Sequence, residues 1–210
     1  MTRIKICGLT RAQDIQAVAN SGADALGLVF YDKSPRYVTA HQATQLVQAL
    51  PPFITVVGLF VNAEATFVHN VIDQVPLAVL QFHGNESPEF CMQFGKPYLK
   101  AIRVKSGVDL LQCATRFYTA QGLLLDAHVE GMEGGTGSTF DWNLIPSKLS
   151  LPVILSGGLH PGNVGEAVKQ VRPYAVDVSS GVEASKGIKD AAKIAAFIKE
   201  VNNIDLQLSR

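Results

Sequence analysis

The feature that most constrains this chain is a strict alternation of short apolar runs with stretches of helical spacing. The apolar runs are I-K-I-C near 4, A-L-G-L-V-F near 25, T-V-V-G-L-F-V near 55 and L-A-V-L-Q-F near 77. Four more follow: Y-L-K-A-I-R-V near 98, G-L-L-L-D near 122, P-V-I-L near 152 and Y-A-V-D-V near 174. Between several of them lie amphipathic stretches. Ile15, Val18 and Ala19 mark one, with Gly22 as its stop, and D-A-A-K-I-A-A-F-I-K-E-V from 190 is the clearest. Strand then helix, about eight times, is the pattern of parallel βα units. Eight such units close most naturally into a (β/α)8 TIM barrel, an α/β fold, although 210 residues is short for it. An open doubly wound sheet is the structural alternative. No linker, composition shift or repeat divides the chain, so residues 1–210 read as a single domain, with a polar tail from Asn202 that frays.

Composition narrows the function. Lys and Arg number 18 and Asp and Glu 18, with no basic block, which argues against a nucleic-acid partner. No apolar run reaches the roughly 18 residues of a membrane span. The N-terminus has no signal-peptide pattern. The three cysteines, Cys7, Cys91 and Cys113, are odd in number and widely spaced. That fits free thiols in a reducing cytoplasm rather than a disulfide framework or a zinc site. The five histidines are scattered (His41, His69, His83, His128, His160), so no metal site is expected.

In a barrel of this kind functional groups stand at the carboxyl ends of the strands. Cys7 ends the first, just before Gly8, with Thr10 read as the N-cap of the following helix. By alternation Lys5 faces inward beneath it. Arg36, in the loop S-P-R-Y-V, offers a planar fork suited to a carboxylate or phosphate, against the plain reading of a solvated loop. Gln81 and His83 share a face at the end of strand four, as substrate contacts or as satisfied rim polars. Asp126 ends an apolar run. Burial raises a carboxyl's pKa, which suits an acid, while a capping role is the bland reading. The glycine-rich stretch around Gly131, Gly134, Gly135 and Gly137 reads as a lid or ligand-approaching loop, and Asp141 as the cap of a short helix holding Trp142. L-S-G-G-L and D-V-S-S-G-V-E end strands seven and eight. Small residues at two adjacent strand ends make an anion site from backbone N–H groups, the recurrent phosphate site of this barrel.

Taken together, K-I-C-G-L-T (5–10), S-P-R-Y-V (34–38), G-L-F-V-N (58–62), Q-F-H-G (81–84), L-D-A…G-G-T-G-S-T-F-D-W (125–142), L-S-G-G-L-H-P-G-N-V (155–164) and V-D-V-S-S-G-V-E (176–183) resemble the phosphoribosylanthranilate isomerase family. The resemblance runs in order along nearly the whole chain. Its one variation is Phe82, where the family usually has leucine. It implies a single (β/α)8 barrel that isomerises N-(5-phosphoribosyl)anthranilate to the 1-deoxyribulose 5-phosphate compound in tryptophan biosynthesis, with no fused indole-glycerol-phosphate synthase domain. The reaction is an Amadori rearrangement. The resemblance makes Asp126 the general acid, Cys7 the general base and Arg36 the contact to the anthranilate carboxylate. Gly157, Gly158, Ser180 and Gly181 take the phosphate. Lys5, Gln81, His83, Gly135 and Asp177 are further candidate contacts, and Lys5 is expected to lower the Cys7 pKa. Strand eight neighbours strand one in a closed barrel, so Lys5 and Asp177 are expected within salt-bridge reach. No cofactor is implied, because both steps are proton transfers. The only partner expected is the phosphorylated small molecule, acting on a monomer or homodimer.

Two rivals remain at this point. Aminoimidazole-carboxamide ribotide isomerases run the same chemistry, but with a carboxylate at the Cys7 position and a two-fold repeat with two phosphate sites, neither of which is seen here. A dead barrel that senses a phosphorylated ligand is the other, and it leaves Cys7 and Asp126 without a purpose.

Overall fold

A computed structural model of the chain describes residues 1–48, 50–127 and 139–209. Eight parallel strands close into one barrel in sequence order. They are β1 (Arg3–Cys7), β2 (Ala25–Val29), β3 (Thr55–Phe60), β4 (Val79–Phe82), β5 (Tyr98–Val104), β6 (Gly122–Ala127), β7 (Val153–Leu155) and β8 (Ala175–Val178). β1 pairs with β8, bringing Lys5 opposite Asp177 and excluding the open sheet. The helices are α1 (Ala12–Ser21), α2 (Ala40–Val47), α3 (Ala65–Gln74), α4 (Pro88–Met92), α5 (Leu110–Arg116), α6 (Val164–Val171) and α7 (Ala191–Leu208). A hairpin, β9 (Glu183–Ser185) with β10 (Ile188–Lys189), is inserted between β8 and α7.

The strands are mostly apolar because both faces are covered, with polar exceptions such as Lys5, Asp126 and Asp177 on the inner face. Outward residues such as Ile4, Ile6, Leu26, Leu28, Phe82 and Val176 pack with the helices in the large core. Inward, Leu99, Ala101, Leu124, Ile154 and Ala175 form a second, small cluster inside the barrel. Ala101, Leu124, Ile154 and Ala175 sit side by side in register, so one layer of side chains plugs the interior below the site.

Two expectations need correction. Thr10 does not cap α1. Its hydroxyl donates to the Gly187 carbonyl at 2.7 Å, tying the first loop to the hairpin, and extended Arg11 takes the N-cap position without a side-chain capping bond. The tail does not fray from Asn202 either. α7 continues to Leu208, with Val201 and Ile204 buried, and Asp205 accepts the Thr2 hydroxyl at 2.9 Å. Two polar groups that looked solvated from sequence are thus spent docking the last helix onto the chain's start. Gly22 does end α1, in the left-handed region at φ 84°, and Asp141 caps a 3₁₀ turn at Trp142–Leu144.

Candidate active site

The carboxyl ends of the strands open onto a cavity of about 350 Å³. Cys7, Arg36, Gln81, His83, Asp126, Gly157, Gly158, Asp177 and Ser180 all line it. Residues named from six separate stretches of sequence therefore converge on one space. Gly181 lies just outside the lining, and Lys5 is buried beneath it. Gly135 and the rest of the glycine-rich loop, 128–138, fall outside the described residues, as does the lid expectation attached to them.

The thiol sits in a notch. A Cβ on Gly27 of β2 would stand 2.6 Å from Cys7 Sγ, so only glycine leaves room for the sulfur between the two strands. Below it Lys5 Nζ donates to Asp177 Oδ1 at 2.7 Å, and Ser156 Oγ donates to the other carboxylate oxygen at 3.3 Å. Both charges are buried. An interior charge needs such a partner. The pairing expected across the closing seam is present, and Lys5 does act downward on the thiol as expected, but it does not set the net direction. Burial pushes the Cys7 thiol above its ordinary value. Lys5 pulls it down, Asp177 pushes it back up, and Lys189 pulls down from further off. Burial wins, and the resting form is the neutral thiol over an ion pair. For Lys5 burial works downward, yet Asp177 and then Cys7 hold its ammonium above the ordinary lysine value.

On the facing side Asp126 Oδ1 accepts from the Ala127 amide at 3.0 Å, and Oδ2 lies 3.0 Å from His83 Nε2. His83 Nδ1 is in turn 3.0 Å from Gln81 Nε2. The loop carrying His83 is held from below. Lys100 Nζ donates to the carbonyls of Phe82 and Gly84 and to Glu86, whose carboxylate accepts the amides of Asn62 and Gly84. A buried ion pair thus serves as a backbone clamp beneath the histidine.

Arg36 departs from the expectation of an open fork. Its Nε and Nη2 donate to the two oxygens of Glu183 at 2.7 and 2.9 Å. Lys189 Nζ reaches the same carboxylate at 2.9 Å. Glu183 is held below the usual carboxylate range: burial works upward, but the Arg36 bonds and Lys189 outweigh it. Burial sets Lys189 below its ordinary value despite Glu183. The side-on pair of guanidinium donors is therefore occupied, and Nη1 with the second Nη2 hydrogen remains for a ligand. Sequence reading missed both Glu183 and Lys189. The signal was a carboxylate at the end of V-D-V-S-S-G-V-E, but its partner arrives through a hairpin that no periodicity announces. Gly8 lets the arginine lie flat, since a Cβ there would come within 2.4 Å of Arg36 Cδ.

At the last two strand ends Gly157 and Gly158 take φ 83° and 65°. Among the described residues no carbonyl accepts their amides. A Cβ on Gly181 would stand 1.9 Å from the Leu159 carbonyl oxygen, so the loops after β7 and β8 interlock there. This arrangement can hold a dianion against backbone amides, a carboxylate against Arg36, and between them the carbons of a sugar within reach of a thiol and a carboxyl.

Comparison with known proteins agrees in detail. A profile of the family described as N-(5'phosphoribosyl)anthranilate (PRA) isomerase matches residues 4–200. The N-(5'-phosphoribosyl)anthranilate isomerase of Thiobacillus denitrificans is 59% identical over 198 residues, 94% of this chain and 97% of the relative. Its namesake in Pseudomonas aeruginosa is 58% identical over 201 residues, covering 96% and 95%. Among solved structures, phosphoribosyl anthranilate isomerase from Thermotoga maritima superimposes with a TM-score of 0.88 at 41% identity, covering 97% of this chain and 100% of that one. A structure described as the isomerase in complex with reduced 1-(o-carboxyphenylamino)-1-deoxyribulose 5-phosphate superimposes at 0.83 with 38% identity over the same shares.

Proposed function

The chain belongs to the N-(5'-phosphoribosyl)anthranilate isomerase family, and from that premise we propose that Cys7 and Asp126 are its proton-transfer pair. The enzyme converts N-(5'-phosphoribosyl)anthranilate to 1-(2-carboxyphenylamino)-1-deoxyribulose 5-phosphate in tryptophan biosynthesis. Asp126 gives its proton to the furanose ring oxygen as the C1–O bond breaks, and the amine nitrogen's lone pair forms the C1=N bond of a Schiff base. Once the Cys7 thiol has lost its own proton to water, the thiolate takes the proton from C2, and those electrons close the C1=C2 double bond while the C=N pair returns to nitrogen. The resulting enol-amine loses the C2 hydroxyl proton and gains one at C1, giving the ketone. Each step moves a proton and needs a positioned acid or base.

Arg36 binds the anthranilate carboxylate through its end-on donors, with Glu183 holding the guanidinium in place. Gly157, Gly158, Ser180 and Gly181 take the phosphate. The observation that carries this reading is that Cys7 and Asp126 line one cavity from β1 and β6, each with its own separate network. We assign the chain as one barrel domain over 1–210, acting in the cytoplasm as a monomer or homodimer on a small phosphorylated substrate, with no nucleic-acid or membrane partner. Free Cys7, Cys91 and Cys113 and an even charge balance support that setting. Among the described residues no helix is long and apolar enough to cross a membrane. The test is conversion of freshly made phosphoribosylanthranilate, followed as loss of its fluorescence. Turnover is expected with this substrate, and its absence in folded protein overturns the assignment.

A further inference from the structure

Gln81 lines the cavity, yet it is 0% exposed. Its Nε2 is aimed at His83 Nδ1, and its Oε1 has no hydrogen-bond partner among the described residues. The orientation follows from donor counting. As placed, the amide leaves Oε1 and one N–H unpaired among the described residues; turned over, it would offer Oε1 to His83 and leave both N–H groups unpaired there. An orphaned N–H is rarer and costlier than an under-satisfied carbonyl, so the amide donates. His83 Nδ1 is then the acceptor, and the ring's single proton sits on Nε2, where it donates to Asp126 Oδ2 at 3.0 Å.

We infer that Gln81 is a positioning residue for the acid, fixing His83 as a neutral Nε2–H donor so that Asp126 can still hold a proton. The inference rests on the reading of Asp126 as the acid. The physical reason is one of charge. An imidazolium hydrogen-bonded to Asp126 would favour the carboxylate, typically by one to three pK units for an opposite charge that close, and would empty the acid before it met substrate. A neutral N–H orients the carboxyl without that charge. Protonating Nδ1 would set an N–H against the Gln81 N–H, so the glutamine opposes the cation by its orientation. Among the described residues the other charged groups around the pair are engaged or remote from the Gln81–His83 contact. Lys5 is on Asp177, Arg36 and Lys189 are on Glu183, and Lys100 is on Glu86 below the loop. Arg103 stands beside Asp126 in the β5–β6 register, and Cys7 faces across from β1. None of them changes in the variants below.

The test is the pH profile of kcat/KM for Gln81→Glu, alone and with His83→Gln. A carboxylate at position 81 accepts from Nδ1–H and makes the ring a cation. The high-pH limb should then move down by about one to three units, with KM within roughly threefold. In the His83→Gln background, whose amide N–H cannot ionise, Gln81→Glu should give no downward shift. Gln81→Met, which removes the donor without burying a charge, should move the limb the same way and by less. Long-range ¹H–¹⁵N spectra of histidine-labelled wild-type protein should show a bare Nδ1 and a protonated Nε2 on His83. A protonated Nδ1 in wild type, an unmoved limb in the folded variants, or an equal shift without His83 each overturns the inference. If the high-pH limb also survives Asp126→Asn, it is the acid assignment that has failed, a different outcome.

Discussion

Lys5 Nζ and Asp177 Oδ1 meet 2.7 Å apart across the seam where β1 closes on β8, directly beneath Cys7. The pair makes the thiol's environment nearly neutral, so burial decides its acidity. In the free enzyme the thiolate should therefore form only above the ordinary thiol value of about 8.5. Asp177 adds to that rise and Lys5 opposes it. Asp177→Asn leaves the ammonium uncompensated, which favours the thiolate, so the midpoint should fall. The rate of iodoacetamide alkylation at Cys7 against pH, resolved by mass spectrometry, measures it directly. Cys91, pushed up to about 12 by burial, does not compete. A midpoint that rises or stays put in Asp177→Asn contradicts the account.

Arg36→Lys should raise KM by roughly tenfold or more and leave kcat nearer its original value. A lysine cannot satisfy Glu183 side-on and a ligand end-on at once, and a charged hydrogen bond is worth about 1.5–3 kcal/mol. Glu183→Gln should act in the same direction, because it leaves Arg36 and Lys189 as two cations with no anion between them. Steady-state kinetics separate the two parameters. An unchanged Michaelis constant in Arg36→Lys removes the arginine from the carboxylate site.

Gly27→Ala should cost about 1–3 kcal/mol in urea unfolding, the usual range for overpacking a filled interior, and should depress turnover by displacing the sulfur. Its Cβ would collide with Sγ at 2.6 Å. Full activity in this variant means that the thiol does not need its notch.

The barrel was readable because its strands are buried on both faces, and an all-apolar run punctuated by glycine or proline needs no tertiary knowledge to notice. Cys7 and Asp126 were readable as exceptions at the ends of such runs, and Arg36 as a lone guanidinium in the loop after the second. Lys5 and Asp177, 172 residues apart, could be paired because closure puts β8 beside β1; what could not be read were partnerships made through loops, hairpins and the last helix. Arg36 and Glu183 are 147 residues apart and meet only because a hairpin folds back over the mouth. Asp205 looked like part of a solvated tail until Thr2 supplied its partner. The rise in the thiol's pKa was also beyond sequence: Lys5 was visible, but how burial and Asp177 outweigh it depends on geometry.

The central claim is that Cys7 and Asp126 move protons and do not hold substrate. The most direct measurement is turnover of Cys7→Ser and Asp126→Asn beside their affinity for reduced 1-(o-carboxyphenylamino)-1-deoxyribulose 5-phosphate. Loss of a positioned acid or base should lower kcat by ~10²–10⁴. Affinity for the analogue should change by less than roughly tenfold, or ~1.4 kcal/mol. Near-full turnover in Cys7→Ser would make the thiol a bystander and pass the base to His83. Loss of analogue binding in step with kcat would make both residues part of the binding site instead.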